Sequence, residues 1–372
     1  MKRIVLLLGL LISLSNCDQK KISNGTLTGS LENIKDGTVL NLIDIDSGKV
    51  YQKITVLDGK FKTSLAITKP RFFGIWQENP KYDKDRLLLW LENSEIKISG
   101  NFDYLVNAKI EGSKSNEIYC KYSAIEKDFK NKSNNLKIAL STTTKQATLD
   151  SIQILTEQAS NLYKTDLLKF YASHNKSEVA FYFLVKEMIK YKSVLKKSDI
   201  KNLFSDLPEE FKISKEAKLL ENYISLPEIP RNGDKFIDIS QVTPEGISES
   251  ISDHLGKLTI LEFWSSGCSP CIWEHQRLKK LYNKYHDKGL NIIGISGDDT
   301  CNDWIGAIKR DSIPWLNISD LKGWYNEAFL IYGIKYTPNL ILLDEKGLVI
   351  DDEFFSKWIE DVIRKRLKNN GL

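Results

Sequence analysis

An apolar run, Leu258 to Phe263, leads directly into Trp264-Ser265-Ser266-Gly267-Cys268-Ser269-Pro270-Cys271. Beyond it, Leu278, Leu281, Tyr282 and Tyr285 recur at helical spacing among lysines and an asparagine. A Cys-x-x-Cys at the junction of a buried strand and a helix constrains this chain more than any other feature. The free amides and the positive end of the helix dipole stabilise an anion, so the first cysteine can ionise near neutral pH while the second waits one turn inside. Such a pair can open another disulfide and close on itself. The spacing thus makes Cys268 the expected exposed nucleophile and Cys271 the resolving thiol. Taken alone, a Cys-x-x-Cys could also be half of a zinc site or a structural disulfide.

The surroundings narrow the choice. Leu290 to Ser296 reads as a second buried strand, and Gly333-Ile334-Lys335-Tyr336-Thr337-Pro338 leads into another, Asn339 to Leu343. A turn from Asp344 to Gly347 returns as Leu348 to Ile350, a hairpin, before a last helix carrying Phe354, Trp358, Ile359 and Ile363. With Gly256-Lys257 before the first core strand, Glu262-Phe263-Trp264 before the cysteines and the stretch Gly294 to Asp299, residues 231–372 resemble the thioredoxin superfamily. The closest resemblance is to its envelope branch of TlpA- or ResA-like thiol-disulfide oxidoreductases.

That resemblance implies roles for particular residues. Thr337-Pro338 matches the family's cis-proline position, where the preceding residue presents backbone to a substrate peptide beside the active disulfide. Glu262, six residues before Cys268, matches the buried acid that relays a proton to the resolving cysteine, a task a carboxyl performs when burial raises its pKa. Glu274, one helical turn past Cys271, matches an acid that ResA-like proteins carry beside their cysteines. Trp264 keeps a family aromatic and is expected to meet substrate with Thr337. Gly267 departs from the pattern, since thioredoxin-like sites usually place Trp directly before the first cysteine. Its absence opens the approach to Cys268 and removes apolar surface for partners. ResA-like relatives are reductants that prepare apocytochrome thiols for haem attachment, so a reductive role is expected over an oxidising one, with a membrane-bound electron donor.

Two other function classes compete. A peroxiredoxin-like thiol peroxidase would want Pro-x-x-x-Thr/Ser-x-x-Cys; Ser265 fits the hydroxyl position, but Leu261 takes the place of the proline. A non-enzymatic metal-binding chaperone on a thioredoxin fold would use a wider cysteine spacing and a distal histidine. No metal or cofactor is expected.

At the N-terminus, Lys2-Arg3 precedes an apolar run from Ile4 to Ile12, too short to span a bilayer but suited to a signal-peptide core. Leu14-Ser15-Asn16-Cys17 resembles a lipoprotein cleavage box, making residues 1–17 a signal that ends at a lipidated Cys17. The expected location is the cell envelope, facing the periplasm and anchored to a membrane by acyl chains. Of the five cysteines, Cys120 and Cys301 remain, read as two buried free thiols. His275, four residues after Cys271, has no second histidine at ligand spacing and reads as a surface residue.

The chain has 372 residues, enough for two or three cores. Its net charge of +4 becomes +2 once Lys2 and Arg3 are set aside, and lysines alternate with acids, so nothing suggests nucleic acid. The partners expected are protein thiols and disulfides of the envelope. Residues 23–111 read as strands: Asp36-Gly37, Ser47-Gly48 and Asp58-Gly59 recur eleven residues apart with alternating Val39, Ile43, Ile45, Ile54, Val56 and Phe61 between them. That spacing argues an antiparallel sandwich or barrel. Gly25-Thr26-Leu27, Asp58-Gly59-Lys60-Phe61 and Ile110-Glu111-Gly112-Ser113 make it similar to an uncharacterised β domain preceding thioredoxin modules in bacterial envelope lipoproteins. Residues 113–228 read as helical, with Leu149, Ile152, Leu155, Ala159, Leu162 and Tyr163 on one face and Ala180, Phe183, Leu184, Met188 and Tyr191 on another. Pro227, Pro230 and Asn232-Gly233 punctuate the entry to an α/β thioredoxin-like domain over 231–372. The expectation is a multi-domain chain: β domain, helical middle, thioredoxin-like end.

Overall fold

A computed structural model describes residues 25–78, 80, 82–190, 193–351 and 359–369. The signal run with Cys17, and Tyr191, Phe354 and Trp358, lie outside the described residues. The chain divides into two compact units, Met1–Cys120 and Lys121–Leu372.

The first unit is β-rich. Its strands are β1 (Gly25–Glu32), β2 (Val39–Asp44), β3 (Val50–Thr55), β4 (Lys60–Leu65), β5 (Arg71–Gln77), β6 (Leu87–Leu91), β7 (Glu95–Asn101) and β8 (Lys109–Glu111). They form two four-stranded sheets, ordered β4-β1-β7-β8 and β3-β2-β5-β6. One core joins them, with Leu27, Leu40, Leu42, Phe73, Leu89 and Ile96 from both sheets, as expected of a sandwich. The recurring turns carry Gly37, Gly48 and Gly59 at positive φ, which only glycine adopts without strain. At Gly59 an added Cβ would also meet the Leu31 carbonyl at 2.8 Å. The ladders are antiparallel except for β1 against β7, which run parallel.

The second unit begins within α1 (Lys114–Thr142) and continues with α2 (Gln146–Ser173), α3 (Glu178–Glu187), α4 (Lys197–Ser205), α5 (Glu209–Lys212) and α6 (Lys215–Ser225). The expected faces hold in part. Ile152 and Tyr163 are buried, and Ala180, Leu184 and Met188 form the second stripe, but Leu155 and Leu162 face solvent. The buried side of α2 instead runs through Leu167, Phe170 and Tyr171, where later helices cover it.

Then come β9 (Ser240–Val242), β10 (Ser248–Ser250), β11 (Leu258–Trp264), α7 (Ser269–Tyr285), β12 (Leu290–Ser296), α8 (Cys301–Asp311), β13 (Leu316–Ile318), α9 (Glu327–Ile331), β14 (Asn339–Asp344), β15 (Val349–Asp351) and α10 (Ile359–Asn369). β9 and β10 pair as a hairpin; the rest make a sheet ordered β13-β12-β11-β14-β15. β11, β12 and β13 are mutually parallel, while β14 runs antiparallel to β11. Both faces of β11 are covered, which is why its sequence is a continuous apolar run rather than an alternation. Leu258, Ile260 and Trp264 join the core that contains Cys271, Leu278 and Trp304, whereas Leu261 and Phe263 join the one around Phe329 and Ile341. This is the expected multi-domain architecture, ending in a thioredoxin-like α/β fold.

Cys120 and Cys301 are free but exposed rather than buried. Cys301 opens α8 and Cys120 lies on the outer side of α1, so neither contributes to a core.

Candidate active site

Side chains alternate along a strand, so residues 258, 260, 262 and 264 share one face of β11. That face bears α7, and it carries Glu262 between Ile260 and Trp264. After Trp264 the chain turns sharply and is pinned from β12: the Gly297 N–H donates to the Trp264 carbonyl at 2.8 Å. Ser266 donates its N–H (3.0 Å) and its hydroxyl (2.6 Å) to the Asp298 carboxylate, which also accepts the Ser296 hydroxyl at 2.7 Å. Arg310 NH1 reaches the Ser266 carbonyl at 3.4 Å.

This held loop delivers Cys268 as the N-cap of α7 with Pro270 in the first turn, where the missing N–H costs nothing. The Cys271 N–H donates to Cys268 Sγ at 3.1 Å. The two cysteines form a disulfide, with Cα atoms 5.3 Å apart. Cys271 is fully buried and Cys268 half-buried, beside an exposed Gly267. The Thr337-Pro338 bond is cis, and Asn339, the next residue, pairs with Phe263, so this loop and the cysteine loop leave the same end of the sheet. Thr337 is half-buried and Pro338 buried.

Glu262 is fully buried, and neither carboxyl oxygen has an aligned hydrogen bond among the described residues. Burial pushes its carboxyl above the usual carboxylate range, against the opposing pull of His275. His275 corrects the surface reading. It is fully buried, with Nδ1 2.8 Å from Asp311 Oδ2 and Nε2 3.3 Å from Glu262 Oε1. Burial disfavours its charge, yet the two carboxylates together outweigh that and hold the imidazole above its ordinary value. A signal for this was present: His275 lies three residues before Leu278, in register with Leu278, Leu281 and Tyr285, so the apolar stripe of α7 includes it. Asp311 and Arg310, at the end of α8, carried no such signal. Arg310 chelates Asp311 at 2.7 and 2.9 Å, and first of all by that contact holds the carboxyl below its usual range.

Two other expected residues are held by partners of their own. Trp264 is a core residue rather than a substrate contact: its ring is fully buried and its indole N–H donates to Asn317 Oδ1 at 3.0 Å. Glu274 is clasped by Arg277, whose Nε lies 3.1 Å from Oε2 and whose NH2 lies 2.5 Å from Oε1. The exposed aromatic on this helix is Trp273, 79% accessible, which the sequence reading passed over. Among the described residues no group of His, Cys, Asp and Glu is arranged to hold a metal ion.

A half-buried sulfur capping a helix, a buried sulfur joined to it, and a cis-proline loop at the same sheet end define a thioredoxin-like thiol-disulfide oxidoreductase. Residues 232–351 match the AhpC/TSA family, and residues 26–119 match a domain of unknown function, DUF4369. Thiol-disulfide oxidoreductase ResA of Bacillus cereus is 28% identical over 150 residues, covering 40% of this chain and 85% of that protein. ResA of Bacillus thuringiensis subsp. konkukian is 30% identical over 124 residues, 32% of this chain and 70% of that protein. The crystal structure of a thioredoxin domain of a thiol-disulfide oxidoreductase from Bacteroides vulgatus is 30% identical, covers 37% of this chain and 98% of its own, and superposes with a TM-score of 0.34. The chain belongs to the ResA family of thiol-disulfide oxidoreductases.

Proposed function

We propose that the chain reduces disulfides of envelope proteins, with Cys268 as nucleophile and Cys271 as resolving thiol. The observation that carries this is the Cys271 N–H directed at Cys268 Sγ at the cap of α7. An amide and a helix dipole aimed at one sulfur favour its thiolate, while burial disfavours ionisation of the other. In the reduced protein the Cys268 thiolate attacks a client disulfide, forming a mixed disulfide and releasing one client sulfur as thiolate. Cys271 then gives up its proton and attacks Cys268 Sγ; the second client sulfur leaves with the bonding pair. The product is the Cys268–Cys271 disulfide, which a membrane-bound thiol donor reopens. Glu262, on the β11 face under α7, takes the Cys271 proton, Thr337-Pro338 presents backbone to the client, and Glu274 adds negative charge one turn along. The resemblance of the sequence to ResA-like reductants supports the reductive direction, and with it apocytochrome thiols as one client class.

Three segments divide this work: a β domain over 23–111, a helical segment over 113–228 and the redox domain over 231–372. The signal-like residues 1–17 support lipidation at Cys17, which would hold the enzyme to an envelope membrane; no helix among the described residues is long and apolar enough to cross one. Membrane fractionation of Cys17→Ala decides that point.

The redox assignment is tested by trapping. Cys271→Ser is expected to accumulate mixed disulfides through Cys268, and Cys268→Ser to lose exchange. Faster alkylation of Cys271 than of Cys268 in the reduced protein at mildly acidic pH would refute the roles. Turnover of peroxide without a thiol partner would move the assignment to a thiol peroxidase.

A further inference from the structure

The buried charge behind the cysteines extends past Glu262. Cys271 and His275 are one turn apart on the same face of α7, and both are fully buried against β11. Trp264 meets the imidazole edge-on, with ring centroids 4.8 Å apart, and Trp315 lies 6.5 Å away. Within this apolar wall the groups run in a line: Glu262 Oε1, His275 Nε2 at 3.3 Å, His275 Nδ1 to Asp311 Oδ2 at 2.8 Å, then Arg310. Asp311 is itself buried, while the Arg310 side chain is 46% exposed.

The line has a direction. Arg310 keeps Asp311 ionised, and an ionised Asp311 beside Nδ1 can only accept, so the proton of the neutral imidazole sits on Nδ1. The lone pair of Nε2 therefore faces Glu262. A carboxyl buried without hydrogen bonds would stay protonated and could not act as a base. An imidazole lone pair at 3.3 Å changes that, because Oε1 can pass its own proton to Nε2 while the carboxyl receives another, so that the pair gains one proton in all.

We propose that His275, oriented by Asp311, is a positioning residue for the resolving step: Nε2 takes up the proton that Glu262 receives from Cys271, and returns it when the disulfide is reopened. The inference rests on the reading of Cys271 as the resolving thiol. In this step the Cys271 S–H bond breaks, its electron pair forms the bond to Cys268, the Cys268–client bond breaks toward the client sulfur, and the proton stays on the Glu262/His275 pair. The other charged or titratable groups around the imidazole are Glu274 and Lys279 on α7, the latter donating to the Asp311 carbonyl at 2.6 Å, and Tyr282, whose ring lies tilted against Trp315. None of these stands between Glu262 and His275 in the line of contacts.

The test is single-turnover reduction of a peptide disulfide by the prereduced full-length protein, following release of the first and second client thiols separately between about pH 5 and 8. In His275→Gln the first release should be unchanged, and the second should slow roughly tenfold and lose its inflection, as expected when a positioned proton acceptor is removed. Asp311→Asn withdraws a negative charge from the imidazole, so the inflection should move to lower pH with the first release again unchanged. A wild-type second phase in both variants, with Glu262→Gln alone slowed, overturns the inference and leaves the oxidoreductase reading standing. No thiol release by the wild type overturns both. A variant that failed to fold would not remove the test: nitrogen chemical shifts of His275 in the wild type should show different protonation in the oxidised and reduced forms, and identical titration in both overturns the inference.

Discussion

Gly267 shows how one missing side chain shapes the approach to a thiol. It is exposed, carries no positive φ, and a Cβ built there meets nothing within 4 Å. Nothing in the fold requires glycine, so its effect is on access. Gly267→Trp should fold with a stability within about 0.5 kcal/mol of the parent, as surface changes usually do. With an indole beside Cys268, alkylation of the reduced protein by a small reagent should slow while the Tm holds; an unchanged alkylation rate would show that the glycine is not what opens the site. Trp273 is exposed on α7, two residues after Cys271.

Among the elements, the helical segment carries its own buried polar core. Lys190 Nζ, just past α3, lies 2.6 Å from Glu126 and 2.5 Å from the Tyr163 hydroxyl, and 3.2 Å from Glu187, whose side chain is almost wholly buried. Tyr171 donates to Glu187 at 3.2 Å. Burial first, and the nearby carboxylates second, push the Tyr122 and Tyr171 hydroxyls well up, so both stay protonated as donors. Removing the Lys190 ammonium takes from the buried Glu187 carboxylate the cation that touches it. Lys190→Met should therefore destabilise by about 3 kcal/mol. The readout is the Tm, expected to fall by roughly 10 °C, with part of the loss recovered on adding Glu187→Gln. A Tm equal to the parent would mean that the cluster contributes nothing net. Glu187 also acts on Lys335, two residues before Thr337: burial pulls that ammonium down to about 8 while Glu187 pulls it back up.

For the molecule as a whole, the proposed anchor at Cys17 sets where the redox domain can work. Acyl chains would tether an enzyme whose described helices do not cross a membrane. Cys17→Ala should appear in the soluble fraction with its disulfide exchange intact, because the residues of the site all lie beyond 231. Retention of the variant on membranes after a salt wash would reject the anchor.

Local chemistry alone determined much of this protein. The run Leu258 to Phe263 is apolar at every position but two and so reads as a strand buried on both faces. The cysteine spacing, the Asp-Gly turns and the stripe of α7 each depend on neighbours within a few residues, and each came through. What failed depended on partners far along the chain. His275 looked like a polar residue on a charged helix until Asp311, thirty-six residues on, and Glu262 met its two nitrogens. Trp264 keeps a family aromatic in sequence, but whether it meets substrate depends on what packs above it, here Asn317 and α7. Leu155 and Leu162 satisfied a helical period, yet a period marks a face and not what covers it. Strand, turn and helix propensities are local, whereas burying a charge requires a compensating charge that only the closed sheet and α8 bring within reach.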